Sequence, residues 1–214
     1  MDKIVVEEGS KAWEIAAVAV RLFAKKGYAG TRLLDIARAA GVGKSTLYEY
    51  FATKEDLFTS ATYIWIKNKF SGLEDILADC EDPVAQLKSL GDHLETFVSV
   101  HNQDMTRMFV EFLQQSVLEG GVLFKHSHFL MQQMRKSPEA IEAVLLKGVA
   151  KGIFRPEIAP IADKLAINFM AFIDGIIFRG CMLNDPISIR EHFTLHLDYL
   201  IEICLLPNHA PKDA

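Results

Sequence analysis

Three groups of residues have types and spacings that could do chemistry, and each points to a different kind of site. The run Gly41-Val42-Gly43-Lys44-Ser45-Thr46 has the glycines, lysine and hydroxyls with which a loop cradles the phosphates of a nucleotide. That loop needs another glycine five residues before Gly43 and a buried strand leading into it. Arg38 occupies the first position, and residues 33 to 40 are alanine-rich and helical in pattern. The run His126-Ser127-His128, with His101 and Glu111 elsewhere, raises a metal site or a hydrolase. On a helix the i, i+2 spacing points the two histidines apart. No His-Glu-x-x-His, nucleophile elbow or cysteine pair accompanies them. The expectation is a protein that is not an enzyme, with no catalytic residue, metal or cofactor.

The third group spans residues 31 to 51, where two short helices flank Gly41-Val42-Gly43. Glycine there lets the chain reverse tightly, which is the grammar of a helix-turn-helix. Ala37 and Val42 are small apolar residues for the crowded junction, and Leu47 and Phe51, four apart, anchor the second helix on a core. Its other face then carries Lys44, Ser45, Tyr48 and Glu49 outward. Short polar residues at the start, a phenol one turn on, and lysines at 44 and 54 suit entry into a DNA major groove with phosphate contacts on both sides.

The elements that must hold this segment are helical nearly throughout. Ala12, Ile15, Ala16, Ala19, Leu22 and Phe23 follow i, i+3, i+4, i+7, with Ser10 as N-cap and Gly27 as stop. Thr31 can cap a second short helix, and a third runs from about Lys44 to Phe51. Thr53 with Asp56 forms a capping box for a long fourth. Later helices are expected at 54 to 79, 83 to 101, 104 to 118, 122 to 151, 160 to 183 and 187 to 205, with Pro138 kinking or splitting the 122 to 151 stretch. No sustained strand alternation and no fixed-period repeat is present.

Composition agrees with a globular, helical chain: half of the 214 residues are hydrophobic. No segment reaches the roughly 18 apolar residues of a spanning helix, so no membrane partner is expected and a cytoplasmic place is. Cys80, Cys181 and Cys204 are odd in number and far apart, which fits buried free thiols. The overall charge of −5 hides an asymmetry. Residues 1 to 54 carry nine Lys/Arg against six Asp/Glu, a net of +3, while the remainder holds 14 against 22, a net of −8. Phosphate attraction is screened within about 8 Å at physiological salt, so a basic head on an acidic body is compatible with DNA.

The run from Gly27-Tyr28-Ala29-Gly30-Thr31 through Asp35-Ile36-Ala37, Gly41-Val42-Gly43, Thr46-Leu47-Tyr48 and Tyr50-Phe51 to Lys54-Glu55-Asp56-Leu57-Phe58 resembles the TetR family signature almost position for position. The helix layout of the rest is similar to that family's, helped by Gly152-Ile153-Phe154-Arg155, which resembles a common family turn before the last two helices. The resemblance implies that Thr31 caps the second helix and touches a phosphate. It places Lys44, Ser45 and Thr46 at the groove-facing start of the recognition helix, and has Tyr48, Tyr50 and Lys54 reach the backbone. Two departures stand out: Gly43 where the family often has a capping serine, and Glu49 where an aromatic or basic residue is common. A carboxylate there either accepts from a cytosine amino group or faces away from the phosphates.

The expected fold is therefore all-α: a three-helix DNA-binding head with a helix-turn-helix over 1–54, and a roughly six-helix ligand-binding and dimerisation body over 55–214. The expected function is a sequence-specific transcriptional regulator in a prokaryotic cytoplasm, at the nucleoid, binding a double-stranded DNA operator as a homodimeric, ligand-released repressor. The alternative is an activator, or a regulator of the same fold without a small-molecule effector. A small apolar or amphipathic effector is assigned to Trp65, Phe97, Met105, Met108, Phe112, Asn168 and Phe172, although apolar residues of this kind also serve as ordinary core. Asn168 sits between Leu165 and Phe172 on one apolar face. The dimer is expected through residues about 160–205. There Leu165, Phe169, Phe172 and Ile176 form one apolar stripe with Ile167, Ile173 and Ile177 as another, and Phe193, Leu197 and Leu200 are matched by Leu195, Tyr199 and Ile203. The long fourth helix links head to body, so operator and effector are expected to oppose each other through it.

Overall fold

A helix can start where a side chain replaces the missing partners of its first turn. Ser10 does this for α1 (Lys11–Gly30), its Oγ accepting from the Trp13 N–H at 3.1 Å. α4 (Lys54–Lys69) opens with the expected reciprocal box. The Asp56 N–H donates to Thr53 Oγ1 at 3.0 Å, and the Thr53 N–H donates to Asp56 Oδ2 at 3.1 Å. Between them lie α2 (Leu33–Ala39) and α3 (Lys44–Tyr50).

The computed structural model describes residues 5–69, 80–99, 102–183 and 189–207, with side chains at 5–68, 80–93, 107–179 and 190–207. The later helices are α5 (Pro83–Ser99), α6 (Asn102–Val117), α7 (Ser127–Met134), α8 (Lys136–Ala150), α9 (Ala162–Leu183) and α10 (Ile189–Cys204). Two 3-10 turns, Phe124–His126 and Pro156–Ile161, join them. Among the described residues the only extended pairing is one bridge between Phe154 and Leu205, so the protein is all-α. No described helix is long and apolar enough to cross a membrane.

The stretch over 122–151, expected to be kinked or split, is split. α7 stops at Met134, Arg135 flanks the start of α8, and Pro138 falls in the first turn of α8, where a missing N–H leaves no intrahelical bond unmade. The preceding reversal depends on Gly121, because a Cβ there would lie 2.3 Å from the Gln115 carbonyl oxygen.

The helices group into two units. The first comprises residues 1–69 and 101–134. Ala16, Ala19 and Ala24 on α1 keep its inner face low, so α4 and α6 pack closely around Ile15 and Phe23. α4 answers with Leu57, Phe58, Ala61, Ile64, Trp65 and Ile66, all buried. Phe23 meets Phe58 edge-on at 4.8 Å, and Trp65 lies 5.8 Å from Phe112 and 6.3 Å from Phe109 of α6. Each such side chain contributes about 1.5–3 kcal/mol relative to exposure. Tyr63 stacks on Phe129 of α7 at 5.9 Å, and Lys125 pairs with Glu55. The chain before α1 is held by Lys67, which bonds Glu8 at 2.6 Å and lies over Trp13.

The second unit comprises residues 70–100 and 135–214. α8 packs on α5 and α9, and α5 also packs on α10. The α5–α10 contact is close enough that a Cβ on Gly91 would lie 2.4 Å from Leu197 Cδ2. After α8 the chain turns at Gly152, whose φ of +68 suits a residue without a Cβ. Phe154 then folds back over Gly148, where an added Cβ would lie 2.0 Å from its ring. The end of α10 closes on this turn: the Arg155 N–H donates to the Cys204 carbonyl at 2.8 Å and the Leu206 N–H to the Ile153 carbonyl at 3.0 Å. Arg155 Nε adds a bond to the Leu205 carbonyl at 2.8 Å.

The inward stripe of α9 is Ala166, Phe169, Ile173 and Ile177, and α10 buries Phe193, Leu197, Leu200 and Cys204, with Phe169 edge-on to Phe193 at 5.5 Å. It takes residues from both expected stripes of α9, because seven-residue spacing drifts across a 3.6-residue helix and the buried line follows 166, 169, 173 and 177. Ile167, Phe178, Leu195 and Tyr199 remain exposed.

Candidate DNA-binding site

The turn between α2 and α3 is built from backbone. Gly41 adopts φ +65, and the Val42 N–H reaches back to the Ala37 carbonyl at 2.9 Å, ending α2. Gly43 is the extended N-cap of α3 and offers it no side-chain bond. Ile36, Ala37, Leu47 and Phe51 are buried and seat the pair of helices. That leaves Lys44, Ser45, Tyr48, Glu49 and Tyr50 exposed and Thr46 half-buried. Lys44 Nζ lies 5.8 Å from the centre of the Tyr48 ring.

Thr31 differs from the expectation. It is buried at the end of α1, and its hydroxyl donates toward the carbonyls of Gly27 at 2.7 Å and Leu22 at 3.2 Å. Arg32, not Thr31, flanks α2, and no side chain caps that helix. The physical reason is Gly27: its φ of 69 breaks α1 early and leaves carbonyls that the nearest hydroxyl satisfies. Thr31 thus fixes the corner between α1 and α2.

Lys54 is tethered rather than free. Its ammonium sits 4.4 Å from the Tyr28 ring centre and 3.4 Å from the Ala29 carbonyl. Partial burial lowers its pKa, opposed by the Glu111 carboxylate. The Tyr28 phenol is raised, first by burial and then by Glu55. Glu111 comes from α6, and its Oε2 lies 2.9 Å from where a Cβ on Gly27 would be.

Sequence reasoning passed over Arg32 and Arg38, both exposed on α2 and both adding positive charge near Asp35. Lys26 bonds Asp35 at 3.0 Å, which holds that carboxyl below its ordinary range. The signal was the basic residues on either side of one aspartate.

The residues assigned to an effector are divided between the two units. Trp65 and Phe112 come together in the first unit, where Met108, one turn before Phe112 on α6, is also buried. Phe172 belongs to the second, where it stacks on His196 at 3.9 Å. Asn168 is exposed beside Ile167, off the inward face of α9. The side chains of Phe97 and Met105 lie outside the described residues. His128 contacts Gln132 at 3.3 Å, and among the described residues no cluster of three His, Cys, Asp or Glu is placed to hold a metal.

Residues 15–61, from α1 through half of α4, match the family model described as bacterial regulatory proteins, tetR family. That stretch is the DNA-binding head of the tetR family. Relatives extend the TetR-family likeness past the head. The HTH-type transcriptional repressor KstR2 of Mycobacterium tuberculosis is 26% identical over 159 residues, which is 74% of this chain and 76% of that protein. A TetR transcription regulator from Haloarcula marismortui shares the fold with a TM-score of 0.77 at 21% identity, over 92% of this chain and 98% of that one. AibR, solved with isovaleryl coenzyme A and operator DNA, has a TM-score of 0.63 at 18% identity, over 90% and 98%. This chain is a DNA-binding transcriptional regulator, and its helix-turn-helix is α2 and α3.

Proposed function

We propose that the chain is a homodimeric repressor that inserts α3 into the major groove of a double-stranded operator and is released by a small apolar or amphipathic effector. The observation that carries the reading is the outward face of α3, with Lys44, Ser45, Thr46 and Tyr48 presented by a helix whose opposite side is anchored through Leu47 and Phe51. Tyr50 and Lys54 contact the phosphates beside it, and Arg32 and Arg38 add to the positive field. Functionally the head is residues 1–54 and the body 55–214, in a cytoplasmic protein that works at the nucleoid. No step of this function requires catalysis.

Two features support the rest. α9 and α10 leave Ile167, Phe178, Leu195 and Tyr199 exposed, and a two-fold partner laying the same helices against them buries that apolar surface. Effector binding is assigned to the Trp65, Met108 and Phe112 cluster, because α6 also carries Glu111 to the Gly27 corner. A ligand that displaces α6 thereby acts on the end of α1. The repressor named KstR2 and the effector-and-operator complex of AibR are consistent with this scheme.

The test is a titration of candidate apolar ligands, with and without operator, in a Trp13→Phe background that leaves Trp65 as reporter. Operator is expected to weaken the ligand by the same factor as ligand weakens operator, typically about 5 to 150-fold. Equal ligand affinity in both titrations overturns effector release.

A further inference from the structure

We infer that Glu49 is a specificity-determining residue which reads a cytosine in each operator half-site. The inference rests on α3 being the groove-facing helix.

The argument starts from helix geometry. Leu47 and Phe51 are the buried anchors of α3, 1% and 2% exposed. Glu49 is two residues from each, and two residues on a helix turn the side chain by roughly 200°. It therefore stands opposite both anchors at once, at the centre of the outward face, with Ser45 and Thr46 on either side of it. Tyr48 and Tyr50 lie on the two flanks, about 100° away, and Lys44 lies farther round at the start of the helix. The residue best placed to reach the groove floor is thus the carboxylate, and the flanking residues are the ones placed for the phosphates.

Charge then narrows what Glu49 can do. Among the described residues no ion pair engages it, and the nearest cation on its own helix, Lys44, leans over Tyr48. An ionised carboxylate only accepts hydrogen bonds. Guanine offers the acceptors N7 and O6 in the major groove, thymine offers O4 and a methyl, and adenine sets N7 beside its amino group. The cytosine N4 amino group is the donor with which a glutamate pairs best. Over guanine or thymine the carboxylate is desolvated without a partner, over adenine the one donor comes with the N7 lone pair beside it, and in each case it lies within a screening length of the phosphates. Glu49 accordingly selects by rejecting wrong bases more than by holding the right one.

The experiment is selection of bound sequences from a randomised double-stranded DNA library with the full chain and with Glu49→Gln and Glu49→Ala, alongside affinity for an unselected duplex at fixed salt. Wild type is expected to enrich one motif with cytosine at one position of each half-site, by about fivefold or more over the other bases. Glu49→Ala should lose that preference while keeping the rest of the motif, and Glu49→Gln should move it toward adenine, whose N6 and N7 suit an amide. Both should bind the unselected duplex more tightly than wild type. Identical motifs for all three proteins, with affinities raised uniformly, overturn the inference and leave the role of α3 intact. Failure of all three to enrich any motif overturns the groove assignment of α3 and this inference with it. Glu49 is exposed, so the variants are expected to keep the wild-type melting curve.

Discussion

The Glu111 carboxylate of α6 lies against the backbone of Gly27, with Oε2 2.9 Å from the position a Cβ would take. Two penalties meet there, and their magnitudes differ. The backbone of Gly27, at φ 69 and ψ 171, lies in a region open essentially to glycine alone and costs a residue with a Cβ about 1–3 kcal/mol, whereas the end of a glutamate side chain can swing aside cheaply. Gly27→Ala is therefore expected to lose about 1–3 kcal/mol in urea denaturation, and adding Glu111→Ala to recover little of it. Full recovery in the double variant would show that the carboxylate, not the backbone, demands glycine.

Lys44→Ala, Tyr48→Phe and Lys54→Ala should each weaken operator binding in a folded protein. For Lys54→Ala the slope of log affinity against log salt should also fall by about one. Loss of the Tyr28 contact removes about 0.5–1 kcal/mol of stability in addition. Unchanged affinity in all three, measured at one salt concentration, would remove the groove assignment.

Leu195 and Tyr199 are 70% and 61% exposed on α10. Under the proposed dimer, Leu195→Arg should convert the protein to a monomer in sedimentation velocity at micromolar concentration, with the helical content retained. A wild-type monomer under the same conditions would refute that assembly.

Gly148 invites a test in which helix propensity and packing disagree. Alanine is favoured over glycine inside a helix by about 1 kcal/mol, yet its Cβ would lie 2.0 Å from the Phe154 ring. Packing should win, because the ring is held by the Gly152 turn and cannot retreat. Gly148→Ala is expected to lower the melting temperature, and Gly148→Ala with Phe154→Leu to lose less than the sum of the two single changes.

Burial pushes the Cys204 thiol up to about 11, with Arg155 pulling the other way. A folded pKa above the ordinary value means that the native state holds this proton more tightly. The associated stability is fully present below about pH 9 and is lost as pH rises toward 11. In a Cys80→Ser/Cys181→Ser variant, the remaining thiol should resist a thiol reagent at pH 8 until the protein is unfolded. Rapid labelling of the native protein would contradict its burial.

Local chemistry made much of this readable in advance. Ser10, the Thr53–Asp56 box, Gly41 and the Pro138 break act over three or four residues, so their consequences are written in adjacent positions. Thr31 misled because its partner is decided by Gly27, four residues earlier, whose backbone leaves carbonyls that compete for the hydroxyl. Asn168 misled for another reason: a helical wheel shows which residues share a face, but not which face the rest of the unit will cover. The effector residues are divided between two units because apolar residues from α4, α6 and α9 look alike in sequence and are allotted by tertiary packing alone. Glu49 lay between these cases, since its exposure follows from Leu47 and Phe51 once both are known to be buried.

The closure of Leu206 and Arg155 on each other's neighbours sets an order of events for the nascent chain. α5 packs through Gly91 against Leu197, which is synthesised more than 100 residues later. At about 5–20 residues per second, α5 waits roughly 5–20 s with its apolar side uncovered. The first unit needs nothing beyond Met134 and can finish during that wait. Once Met134 has left the ribosome, the helix-turn-helix unit can be complete while the second unit still lacks α10, and a truncation that removes Leu205 and Leu206 leaves that second unit without its clasp.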